Sequence, residues 1–235
     1  MQKQIRKIVS NIDAHVSILD TEGELLYQLA KKSKGNVVEI GSWKGRSTIW
    51  LAKGVVASKK KFRFVFAVDP HENMEACDAR LAGKSYGEFL KNITRAKVRQ
   101  VVIPMVKTSA NAVASWKEGI GLVFIDGSHT YEDVAFDLHE WGKFVKEGGY
   151  VALHDTIGYE GPKKVLMEAL KYPSPWMLYS FEGQVAVLQK WPRSPYTNAA
   201  VNVAALLTKE LYDLAFLMAK NRLPQSIKDK LKELL

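Results

Sequence analysis

Two short stretches of this 235-residue chain carry most of its candidate chemistry. Asp126-Gly127-Ser128-His129 follows the apolar run Leu122–Ile125, and His154-Asp155 follows Tyr150–Leu153. Two carboxylates with imidazole nitrogens suit a divalent cation, for which oxygen and nitrogen donors are the usual ligands. The same groups also make an acid–base pair able to move the proton of a substrate hydroxyl. Residue types alone leave both uses open.

A third stretch, Val37-Val38-Glu39-Ile40-Gly41-Ser42-Trp43-Lys44-Gly45-Arg46-Ser47-Thr48, reads as a strand, a glycine turn and the start of a helix. Glycines let a backbone pass close to a ligand, and a helix N-terminus presents free N–H groups to it. Neither G-x-G-x-x-G nor the P-loop pattern ending in G-K-S/T can be written over Gly41 and Gly45. This argues against a dinucleotide fingerprint and against a nucleoside-triphosphate P-loop. Asp69 closes Phe66-Ala67-Val68-Asp69, where a carboxylate at a strand tip can accept both hydroxyls of a ribose.

These groups act together only if the chain carries them to one edge of one sheet. The sequence alternates short apolar runs with longer amphipathic ones, the pattern of parallel strands joined by crossover helices. Strands are expected at Val37–Ile40, Phe62–Val68, Val101–Val106, Leu122–Ile125 and Tyr150–Leu153. Helices are expected at Ser47–Ala57, Tyr86–Ala96, Ala110–Trp116, Tyr131–Lys146 and Gly161–Lys171. In the fourth of these, Val134, Leu138, Trp141 and Val145 form one apolar stripe, and Gly148-Gly149 is the expected stop. Trp176–Phe181 and Val185–Gln189 flank Glu182-Gly183 and read as a hairpin. The expected fold is α/β, a Rossmann-like doubly wound sheet of seven strands ending in that hairpin, with helices at both termini. Parallel neighbours then deliver Asp126, His129, His154 and Asp155 to the edge that carries the glycine turn.

The domain boundaries follow. Residues 1–191 form the catalytic domain, with 1–35 as a helical extension carrying Leu25, Leu26 and Leu29 on one face. Trp191–Pro195 is a Pro-rich connector, and 192–235 is a C-terminal helical extension interrupted by Pro224. Leu206, Leu211, Leu214, Phe216 and Leu217 are too apolar to stay exposed, which predicts a lid or a homodimer interface there. Composition is that of an ordinary globular protein, 47% hydrophobic and 25% charged. No run of 18 uncharged apolar residues occurs, the N-terminus lacks the apolar core of a signal peptide, and Cys77 is the single cysteine. A cytoplasmic protein without a membrane partner is expected. The net charge of +9 is spread over short runs such as Lys59-Lys60-Lys61, not interleaved with aromatics, so no nucleic-acid partner is expected.

The arrangement E-x-G-x-x-x-G-x-S over Glu39–Ser47 resembles the first motif of class I S-adenosylmethionine-dependent methyltransferases. The stretch from Asp126 to Thr156 resembles their small-molecule O-methyltransferase branch, related to macrolide-sugar O-methyltransferases and cephalosporin hydroxylase. The resemblance places Glu39, Gly41, Ser42, Trp43, Gly45, Ser47, Asp69, Ser109 and Asp126 around S-adenosylmethionine, with Ser109 in an adenine-contacting loop. Trp43 stands where many members carry another glycine. The resemblance further implies Mg²⁺ held by Asp126 and Asp155, with His129 as general base beside Asp126 in the catalytic machinery. His154 replaces the carboxylate usual before Asp155, which makes a site of Asp126, His154 and Asp155 less hard and less anionic. The implied activity is O-methylation of a small-molecule hydroxyl, on a sugar or secondary metabolite. The rival readings are a nucleic-acid methyltransferase, which would lack the N/D-P-P-Y/F motif, and a non-catalytic ligand-binding protein on the same fold.

Overall fold

A computed structural model describes residues 2–12, 18–60, 62–71, 85–171, 173–191 and 195–219. Cys77, residues 192–194 of the connector, and residues 220–235 with Pro224 lie outside these. Short, largely apolar runs buried on both faces build the sheet. It comprises β1 (Asn36–Ile40), β2 (Val65–Val68), β3 (Val102–Met105), β4 (Ile120–Ile125), β5 (Val145–Leu153), β6 (Trp176–Glu182) and β7 (Val185–Lys190). The spatial order is β3-β2-β1-β4-β5-β7-β6. β1 to β5 are parallel, while β7 runs antiparallel to both β5 and β6. The seven strands and the terminal hairpin are as expected.

Successive residues of each strand point to opposite faces, and both faces are covered, so the central strands are buried throughout. On one face Val37, Leu122, Phe124 and Ala152 pack against α1 (Gln2–Val9), α2 (Asp20–Lys32), α3 (Arg46–Ala57) and α4 (Ser85–Arg95). On the other, Val38, Ile40, Val123 and Val151 meet α5 (Ser109–Val113), α6 (Tyr131–Gly142) and α7 (Glu160–Ala169). α8 (Pro195–Ala219) packs on the edge strand β6, where buried Asn202 accepts from Leu178 N–H at 3.0 Å and donates to the Trp176 carbonyl at 2.9 Å.

The α2–α3 packing is close: a Cβ on Gly23 would enter the fully buried Trp50 ring. Arg46, the first residue of α3, ties this layer to the N-terminus. Its guanidinium donates to the carbonyls of Val9 (2.8 Å), Ile12 (3.3 Å) and Ile18 (3.0 Å), and to Asp20 (2.8 Å).

Several boundaries differ from expectation. The helix expected to reach Lys146 ends at Gly142, because Val145 already opens β5 opposite Ile120. Gly148-Gly149 therefore lies inside β5, where Gly148 takes a φ of 73° at a register shift, and does not stop a helix. β2 begins at Val65, since Phe62 is exposed with a φ of 57°. α8 starts at Pro195, so the connector is shorter than its proline content implied; proline is well tolerated at a first helical position. Among the described residues, no helix is long and apolar enough to cross a membrane.

Candidate active site

The chain leaves β1 for β2 and β3 on one side and returns to β4 on the other, so the strand order reverses between β1 and β4. Crevices at such reversals, outside the carboxyl ends of the strands, are where open α/β sheets take ligands. Here the β1 tip is the glycine turn and the β4 tip is Asp126. They are in intimate contact: Asp126 N–H donates to the Ile40 carbonyl at 2.9 Å, and a Cβ on Gly41 would collide with the Asp126 carbonyl. Gly41 and Gly45 both have a φ of 85°, a region closed to most side chains. Trp43, between them, has a φ of 39°, which explains why glycine is the easier residue at this position.

Asp69 braces the turn from the β2 tip. Its carboxylate accepts from Trp43 N–H and from His71 N–H, each at 2.7 Å. Both oxygens keep a lone pair for a further donor, so bracing the turn and accepting ribose hydroxyls are compatible. Glu39, wholly buried, accepts from Thr48 at 2.5 Å through one oxygen. Burial pushes its pKa up to about 8, and Asp126 and Asp69 nearby add to that, against hydrogen bonds from Ser47 and Thr48. Its other oxygen, the Ser42 hydroxyl and the Trp43 indole N–H are buried and have no hydrogen-bond partner among the described residues. Such groups are costly when unmatched, and together they offer both acceptors and a donor to a polar group at this turn.

Ser109 follows β3 as expected, but its hydroxyl is committed. It donates to Asp137 and accepts from the Trp141 indole at 2.8 Å, so contact with a ligand falls to its neighbours or its backbone. Burial pushes Asp137 up to about 6 despite that hydrogen bond.

Across the crevice, β4 and β5 bring together all four expected residues. His129 Nε2 lies 2.7 Å from Asp155 Oδ2. His154 Nδ1 lies 2.9 Å from Asp126 Oδ1 and 3.1 Å from Asp155 Oδ2. Asp155 has a φ of 56°, a conformation uncommon for a non-glycine residue and often associated with functional sites. The ring of Tyr159 stacks on His129 at 4.1 Å and fixes the plane of the imidazole.

Electrostatics follow from this crowding. Burial would lower the His154 pKa, but Asp126, Asp155 and Glu22 outweigh it and hold it well above the ordinary imidazole value. Burial would likewise raise Asp155, yet His129 and His154 hold it well below the carboxylate range. Asp126 is raised, with burial prevailing over His154. The hydrogen bond to Asp155 raises His129.

One member of the cluster was not anticipated. Glu22, fully buried on α2, accepts from Leu19 N–H at 2.6 Å and Gln184 N–H at 2.7 Å, and one of its oxygens lies 3.4 Å from His154 Nε2. The readable signal was a carboxylate in register with the apolar stripe Leu26–Leu29 of its own helix. A separate cavity of about 410 Å³, lined by Leu138, Val165, Ala169 and Trp176, lies toward the opposite end of the parallel strands and takes no part in this cluster.

Comparison with known proteins adds three findings. Residues 38–156 match a family model described as a methyltransferase domain. An uncharacterised protein of Acanthamoeba polyphaga mimivirus is 26% identical over 149 residues, which span 61% of this chain and 61% of that protein. Among solved structures, the O-methyltransferase NovP superposes with a TM-score of 0.62 at 18% identity, over 72% of this chain and 79% of that one. The O-methyltransferase TomG of Streptomyces achromogenes, solved with S-adenosylmethionine, gives 0.60 at 15% identity, over 81% and 89%. At these identities the superpositions establish a common fold.

Proposed function

The chain belongs to a methyltransferase-domain family, and we propose on that premise that it transfers a methyl group from S-adenosylmethionine to a hydroxyl of a small molecule, such as a sugar or secondary metabolite. The observation that carries this reading is the crevice between β1 and β4. The glycine turn with its unmatched polar groups forms one wall, and an imidazole–carboxylate pair forms the other.

Each group has a task. The turn Gly41–Gly45, with Glu39, Ser42, Trp43 and Ser47, binds the methionine end of the cofactor. Asp69 takes the ribose, and the Ser109 loop with Asp126 borders the remainder. S-adenosylmethionine, when bound, supplies a methyl group on a sulfonium leaving group, so the protein's share is alignment and proton removal. His129 performs the latter: Asp155 accepts from Nε2, which leaves Nδ1 as the nitrogen able to take the hydroxyl proton. Tyr159 and Asp155 hold that ring in place. Asp126, His154 and Asp155 each offer a ligand atom, all within 4.8 Å of one another. They fit a divalent cation, which when bound would supply Lewis acidity to the acceptor oxygen.

Residues 1–191 are assigned to this catalytic unit, in the cytoplasm. Residues 192–235 are assigned to dimerisation, because α8 exposes Val203, Leu207 and Leu211 at four-residue steps, with Leu207 66% and Leu211 71% exposed. Light scattering is expected to give the mass of two chains, and a monomer at high concentration with and without cofactor would refute the assignment.

Calorimetry tests the central reading. S-adenosylhomocysteine is expected to bind with a dissociation constant on the order of micromolar, about 8 kcal/mol of binding free energy, and NAD to show no affinity. NAD binding tighter than S-adenosylhomocysteine would end it.

A further inference from the structure

We infer that the cluster at the β4 and β5 tips is selective for a divalent transition-metal ion over Mg²⁺, and that Glu22 is the outer residue that presets His154 as a ligand. This rests on the reading of a cation at Asp126, His154 and Asp155, and adds to it the identity of the metal and a residue of α2.

His154 is 8% exposed, and two carboxylate oxygens, Asp126 Oδ1 and Asp155 Oδ2, stand 2.9 and 3.1 Å from its Nδ1. The nitrogen and the two oxygens converge within 4.8 Å of one another, an arrangement that a shared cation would satisfy in place of a proton on Nδ1.

Glu22 completes the geometry from behind. Its Oε2 lies 3.4 Å from Nε2, on the far side of the ring, and accepts that N–H. With Nε2–H held by Glu22, Nδ1 is the nitrogen turned toward Asp126 and Asp155, and a cation bound there would take the place of its proton. Metal-binding imidazoles are commonly fixed in this way by a carboxylate on the second nitrogen. Glu22 is itself immobilised by the N–H groups of Leu19 and Gln184, and a Cβ on Gly183 would collide with its carboxylate. His129 does the same for the metal-facing Asp155, holding Oδ2 at 2.7 Å.

Donor chemistry then selects the ion. Mg²⁺ prefers oxygen ligands in a near-ideal octahedron, and a nitrogen in place of a carboxylate removes both charge and hardness. Imidazole nitrogen favours the later divalent ions, whose affinity for mixed N/O sites rises from Mn²⁺ toward Co²⁺.

Mn²⁺ is the probe, read by electron paramagnetic resonance on the full chain with S-adenosylhomocysteine present. One Mn²⁺ per chain is expected, with Mg²⁺ competing at least about tenfold more weakly and Co²⁺ competing more strongly. Glu22→Gln should weaken Mn²⁺ by about 10–100-fold, the usual effect of losing an outer partner. His154→Asp should reverse the preference, so that Mg²⁺ displaces Mn²⁺ at comparable concentrations. The second variant keeps the test decisive if the first fails to fold. Absence of Mn²⁺ binding, equal competition by Mg²⁺ in the unaltered chain, or no change in preference in His154→Asp would overturn the inference. Binding of S-adenosylhomocysteine is read in the same samples. Its survival without metal binding would refute this proposal alone, whereas its loss from the unaltered chain would refute the methyltransferase reading.

Discussion

Replacing His129 with alanine is expected to lower kcat by about 10²–10⁴, the range for removing a positioned general base, while leaving S-adenosylhomocysteine affinity within about twofold. The two readouts separate because the imidazole sits on the β4–β5 side of the crevice, whereas the turn proposed for the cofactor is built from β1, β2 and α3. The pH profile supplies the sign. Asp155 stabilises protonated His129 and raises its pKa, so the neutral form that can accept a proton appears only above the ordinary imidazole value. The kcat of the unaltered enzyme is therefore expected to rise with pH through a limb lying above 6.5. Asp155→Asn should move that limb downward, since it removes the partner that holds the proton. A His129→Ala enzyme with undiminished kcat would leave alignment alone as the source of catalysis.

Asp69→Ala is expected to weaken S-adenosylhomocysteine by about 2–4 kcal/mol, or roughly 30-fold to 10³-fold. Two charge-assisted hydrogen bonds to ribose contribute about 1.5–3 kcal/mol each, less what solvent restores. The carboxylate has a second task here, since it also holds the N–H groups of Trp43 and His71. Without it, Trp43 must keep an unfavourable φ of 39° unaided. Asp69→Asn keeps an acceptor but turns the other oxygen into a donor, so its loss should fall between that of alanine and the unaltered chain. Calorimetry with the three proteins orders them, and an alanine variant of unchanged affinity would remove Asp69 from the cofactor site.

How much of this was legible without coordinates depended on how local each signal was. The glycine turn was fully so, because Glu39, Gly41 and Gly45 lie on consecutive elements and their geometry is set within a few residues. Convergence of Asp126, His129, His154 and Asp155 required only that β4 and β5 be parallel neighbours, and two apolar runs joined by an amphipathic helix imply that. Glu22 was not legible as a partner of His154, because 132 residues separate them and the contact depends on how α2 packs against the sheet. The commitment of the Ser109 hydroxyl to Asp137 and Trp141 was hidden for the same reason. The end of α6 was misread because Val145 continues the helical spacing of Val134, Leu138 and Trp141. Periodicity cannot distinguish one more helical turn from the first residue of a strand that is itself buried.

Arg46 gives the N-terminus a bearing on the ligand site that its distance along the chain conceals. Three carbonyls, at Val9, Ile12 and Ile18, converge on one guanidinium, and Asp20 at the start of α2 balances its charge. The cation thus neutralises the negative end of one helix dipole while fixing the origin of the next, and it does so from the residue immediately after Gly45. The first helix is also tied by Arg6 to Glu24 at 2.8 Å and by the buried Ile5 and Val9, so it packs directly behind the elements that carry the glycine turn. The leading segment is therefore a buttress of α3 at the point where it leaves the glycine turn.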